Sequence, residues 1–178
     1  MDRLYFQCPS CPFNALVSDF IRNYSEDQRL QLKTRFNEFH RSSSMHLRSD
    51  LGGRLYYGAL GQEILREVLN LELSPFERVD FYLKAFWWTS ESNLLFLGEK
   101  VIEKLLAGLN SREISVRDQY LMKYLLGEIS RRLGRQEDAL RYFQQAMAQE
   151  DKTFEEAEFF VALTKKQMEN PTDELSDT

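Results

Sequence analysis

Residues 120–153, YLMKYLLGEISRRLGRQEDALRYFQQAMAQEDKT, decide the fold. Small residues stand at Gly127, Ala139 and Ala146, a large aromatic at Phe143, and Gly134 separates two apolar-periodic segments. Two antiparallel helices need this spacing: Gly127 and Ala139 let the backbones approach closely, and Phe143 fills the space beside them. Gly134 marks the turn. The stretch therefore predicts a helical hairpin over residues 120–149, with its contact at Gly127, Ala139 and Phe143.

The same periodicity extends along the chain. A first helix starts after Ser25, where SEDQ offers an N-cap and acidic first-turn residues, and carries Leu30, Leu32, Phe36 and Phe39 to about Arg41. The Ser- and Gly-rich segment RSSSMHLRSDLGG, residues 41–53, reads as a loop. A second helix spans about Arg54 to Leu71, with Leu60, Ile64, Leu65 and Val68 at core spacing. Ser74-Pro75 opens a third, which carries Val79, Tyr82, Leu83 and Phe86 on one side. The fourth, about Asn93 to Leu109, has a stripe of Leu94, Leu97, Val101, Leu105 and Leu109. After the two arms of the hairpin, a seventh from Thr153 to Met168 carries Phe154, Ala157, Val161 and Met168, and Asn170-Pro171 ends it.

Composition agrees with an all-α fold. The chain has 26 Leu against 11 Val and Ile together, with 4 Pro and 8 Gly; unbranched apolar residues lose little rotamer freedom in helices, whereas strands favour β-branched ones. About seven helices joined by short connections pack as stacked antiparallel hairpins. At 178 residues, 43% of them hydrophobic, one helical domain over residues 19–169 is expected, between a non-helical head at 1–18 and an acidic flexible tail at 170–178.

The net charge of -5 comes mostly from Glu169, Asp173, Glu174 and Asp177. Without a basic excess the nonspecific electrostatic attraction to nucleic acid is missing, so a nucleic-acid partner is not expected. No run of about 18 apolar residues is present, and the first twenty residues lack a basic region followed by an apolar one. A soluble, cytoplasmic protein without a membrane partner is the expectation, and two cysteines three positions apart fit a reducing compartment. No nucleophilic triad, phosphate loop or paired-His metal helix is discernible, and Gly52-Gly53 lacks the Lys-Ser or Lys-Thr of a phosphate loop. The reading is noncatalytic.

With Leu126-Gly127 on its first arm and Ala139, Phe143 and Ala146 on its second, the 34-residue stretch resembles a tetratricopeptide repeat. The resemblance implies stacked units that bind other proteins. It also implies that the first arm lines a concave groove, which puts Leu121, Tyr124, Glu128, Arg131 and Arg132 toward a partner and Leu125, Leu126, Ile129 and Leu133 in the core. Tyr124 offers an amphipathic surface, and either arginine suits a carboxylate.

The head holds Cys-Pro-Ser-Cys at residues 8–11, which resembles a zinc knuckle: two thiolates on a tight turn take two corners of a tetrahedral site. YFQCPSCPFNALVSDF, residues 5–20, is similar to the second knuckle of a largely uncharacterised bacterial family in which two CPxC knuckles precede tetratricopeptide-like helices. Pro12 takes the place of that family's usual Gly, and the upstream CPxC is missing. Cys8 and Cys11 therefore supply half of a zinc site. The expectation is an unmetallated turn and no cofactor, with zinc bound only if the half-site is completed by His40 and His46 or by sharing between two chains. The βαβ setting of a thiol-disulfide exchange motif is absent.

The cluster Phe81, Tyr82, Phe86, Trp87 and Trp88 reads mainly as core, but consecutive tryptophans point about 100° apart on a helix. Trp88 is the candidate for exposure and for a binding anchor. The leading expectation is a protein-interaction scaffold that holds a peptide or helix of a partner in a groove. A structural homo-oligomer and a zinc-linked regulatory protein are the alternatives.

Overall fold

The structure, a computed structural model, describes residues 5–7, 14–42, 51–111, 114–149, 151–169 and 171. Its fold is all-α apart from one short strand pair: β1 (Tyr5–Gln7) and β2 (Asn14–Leu16) run antiparallel, with Tyr5 opposite Leu16 and Gln7 opposite Asn14. Among the described residues eight helices follow: α1 (Val17–Phe20), α2 (Glu26–Ser42), α3 (Leu51–Val68), α4 (Pro75–Trp87), α5 (Glu91–Leu109), α6 (Val116–Arg132), α7 (Gln136–Met147) and α8 (Ala157–Glu169). No described helix is long and apolar enough to cross a membrane. The helical body expected over 19–169 resolves into two compact units, Met1–Leu97 and Gly98–Thr178, with the division inside α5.

In the first unit α3 is central, packed against α2, α4 and both strands. Leu32 and Phe36 of α2 meet Leu65 of α3 in a cluster flanked by Tyr24, Ile64, Val68 and Leu69, and Arg35 reaches Glu67 across it at 2.5 Å. The start of α4 matches its sequence. Ser74 Oγ accepts from the Glu77 amide at 3.2 Å, the Glu77 carboxylate accepts from the Ser74 amide at 2.9 Å, and Pro75 occupies the first turn, where its missing N–H costs nothing.

Two expectations for this unit need correction. Val17 and Ser18 belong to α1 rather than to a non-helical head, because Asp19 accepts from the Leu16 amide at 3.2 Å and from Gln62 Nε2 at 2.8 Å, which pins the turn to α3. The loop expected over 41–53 is helical at both ends. Gly52 and Gly53 lie buried in α3, and a Cβ on Gly52 would stand 2.5 Å from Thr89 Cα and 2.6 Å from the Ala85 carbonyl. Glycine here admits the end of α4 rather than breaking a helix.

The second unit contains the predicted hairpin. Ser115 caps α6 by accepting from the Asp118 amide at 3.0 Å. At its end Gly134 takes φ 75°, and the Arg135 amide donates to the Ser130 carbonyl at 2.9 Å, closing the helix through a left-handed residue that costs glycine little. Gly127 faces Phe143, where a Cβ would lie 2.5 Å from two ring carbons. Ala139, Phe143, Ala146, Tyr120 and Tyr124 form one buried cluster, and Phe160, Val161, Leu163 and Met168 of α8 pack on it. Burying a phenylalanine this completely contributes about 2–3 kcal/mol. The seventh expected helix starts at Ala157 rather than Thr153, since Asp151 accepts from the Thr153 amide at 2.9 Å and from its hydroxyl at 2.6 Å, holding a turn first.

Candidate functional site

The arm expected to line a groove is α6, and the structure turns most of that face inward. Leu121, Tyr124, Glu128 and Arg131 are buried, and Arg132 is half-buried. Tyr124 stacks at 5.8 Å from Phe143 of α7 and 6.3 Å from Phe160 of α8, so this chain's own last helix covers the aromatic that was expected to meet a partner. Burial pushes the Tyr124 phenol well above its ordinary range, the nearby Glu128 charge adds to the rise, and Arg131 opposes it. The ring is neutral at physiological pH.

Glu128 and Arg131 are engaged with each other. Arg131 donates through Nε to Glu128 Oε2 at 3.1 Å and through Nη2 to Oε1 at 2.6 Å, a two-point pair one helical turn long. Arg131 also borders a small cavity of about 170 Å3 with Phe143, Gln167 and Met168. The seat of α8 is tied by polar contacts at both ends of this region: Tyr120 Oη lies 2.9 Å from Thr164 Oγ1, and Arg117 grips Glu156 through two bonds of 3.0 and 3.2 Å. Lys123, its ammonium pKa lowered by burial, donates to Gln149 Oε1 at 3.0 Å, and Gln149 donates onward to the Val116 carbonyl at 2.9 Å. These contacts hold the α7–α8 connection against α6. Leu121, Tyr124, Glu128 and Arg131 thus belong to the interior of the second unit, rather than to an open groove.

The aromatic cluster of the first unit divides as its helical angles require. Phe81, Tyr82 and Phe86 are buried, while Trp87 is 36% and Trp88 64% exposed. Trp88 is the C-cap residue of α4, and Trp87 rests edge-on against Phe86 at 5.2 Å. Immediately beyond, α5 exposes Leu95 (60%) and Phe96 (41%), and Phe96 is supported at 5.4 Å by Tyr56, itself 5.8 Å from the buried Tyr82. Buried rings thus back two of the exposed ones, Trp87 and Phe96. Leu95 and Phe96 stand off the Leu94, Leu97, Val101, Leu105, Leu109 stripe that defines the buried face of this helix in the sequence, and large apolar residues off such a stripe are the signal of an exposed apolar patch.

Cys8, Cys11 and His46 lie outside the described residues, as does the side chain of His40. Among the described residues, no group of three or more His, Cys, Asp or Glu is placed to hold a metal ion. Comparison with protein-family models, with curated proteins and with solved structures gives no match to this chain.

Proposed function

We propose that this chain is a noncatalytic protein-interaction module, and that its contact surface is the exposed apolar strip of Trp87, Trp88, Leu95 and Phe96. The observation that carries the reading is Trp88, 64% exposed at the end of a helix whose preceding residues form a packed core. A large aromatic in water on a rigid support loses little conformational freedom on binding and contributes apolar area, the pattern of an interface anchor. The partner this surface fits is an amphipathic helix or apolar peptide of another protein. The tetratricopeptide-like hairpin of α6 and α7 supports a scaffold, while the binding role moves from the α6 face to the α4–α5 corner.

The test compares the full chain with a Trp88→Ala, Leu95→Ser variant as bait in extract of its native cell, with solution mass measured for both. Loss of a hot-spot tryptophan should weaken capture by about thirtyfold, the equivalent of about 2 kcal/mol, without changing the circular dichroism. A native dimer that the variant converts to monomer would assign the same strip to self-association, the structural homo-oligomer reading. Undiminished capture together with an unchanged mass would remove the strip from consideration.

A further inference from the structure

The turn between α3 and α4 carries a second surface feature, independent of the apolar strip. Asn70 takes a left-handed φ of 51°, and the Leu71 amide donates back to the Arg66 carbonyl at 2.9 Å, closing α3 just before the Ser74–Glu77 capping pair opens α4. This rigid corner brings Arg66 of α3 and Arg78 of α4 to one open cavity of about 560 Å3. Neither guanidinium makes a hydrogen bond or ion pair to any described residue, and Arg66 Nε is buried without an acceptor. A buried donor lacking an acceptor is costly, and an arginine fork matches two oxygens of a carboxylate or phosphate.

Three carboxylates share the lining, and two of them are engaged. Glu67 is held by Arg35 at 2.5 Å, and Glu63 has an interaction of its own. Glu72 is the remaining countercharge, so among the described residues the unpaired charged groups of the cavity are two cations and one anion. We propose that this corner binds a small metabolite through a carboxylate or phosphate group, with Arg66 and Arg78 as the paired donors and the rest of the cavity receiving its body. The volume lies within the range of small-molecule sites.

Side-chain N–H signals of the arginines, followed by NMR while sodium phosphate or sodium acetate replaces sodium chloride at constant ionic strength, test the assignment on the full chain. Arg66 and Arg78 should shift saturably with one of the two anions, and whichever saturates names the group. Arg78→Gln should weaken that binding by about tenfold, as loss of a charge-assisted contact does. Glu72→Gln should tighten it about threefold by removing the opposing charge. Arg78 is exposed on the first turn of α4, so its variant keeps the test open even if Arg66→Gln fails to fold. Shifts that stay linear with both anions, or a saturable shift that Arg78→Gln leaves unaltered, overturn the proposal.

Discussion

Gly127 has no room for a side chain, because a Cβ there would press 2.5 Å from the Phe143 ring. Replacing it with Leu should cost about 1–3 kcal/mol through overpacking, read from a urea melt, and trimming Phe143 to Ala in the same chain should recover part of that loss. An unchanged midpoint for Gly127→Leu would mean that the two arms do not meet there. Gly52 differs in kind, since the atoms a Cβ would strike include the backbone of Thr89 and Ala85, which cannot rotate away. Gly52→Ala should therefore lower stability by about 1–3 kcal/mol although it adds a single methyl group. Arg131 shows how burial changes an expectation. On an open face a glutamate there would be tolerated, but beside the buried Glu128 it replaces an ion pair with two like charges, and Arg131→Glu should cost about 3 kcal/mol or more in the same melt.

Helix α8 decides what the α6 face can do. Its Phe160 covers Tyr124, and Thr164 meets Tyr120 at 2.9 Å, so both tyrosines are desolvated and both phenols titrate above their ordinary value of 10.0. A folded-state pKa above the unfolded one means that the unfolded chain loses its phenolic protons first. The stability these groups confer is intact below pH 10 and falls as pH rises beyond it. Thermal melts across the alkaline range should show this decline, and Tyr124→Phe should flatten it while changing little at neutral pH. A decline of equal slope in the variant would place Tyr124 in a wetter setting than α8 provides. The start of α4 was readable because Ser74, Pro75 and Glu77 are near neighbours whose caps are local chemistry. The seat of α8 was not, because an apolar stripe states that a helix has a buried face without stating which surface it meets.

The two units differ in how far local pattern carries. The hairpin in the second was legible since Gly127, Ala139 and Phe143 interact over a short span, where spacing alone implies contact. In the first, Gly52 and Gly53 looked like a break because the reason for them lies at Ala85 and Thr89, far along the chain. The strand pair of β1 and β2, three residues each, is too short for a period-two pattern to show. The exposed apolar residues were half legible: Trp88 stood out as a second consecutive tryptophan, whereas Leu95 and Phe96 were hidden behind a good stripe on the same helix. Since the chain has only two tryptophans, Trp87→Phe leaves Trp88 as the sole indole reporter of that surface. Acrylamide quenching of this variant, alone and then with a captured partner, is the most direct measurement. An open anchor predicts red-shifted, readily quenched emission in the free chain, and a blue shift with protection once the partner binds. Emission already blue and protected in the free chain, or quenching that the bound partner leaves unchanged, would contradict the account.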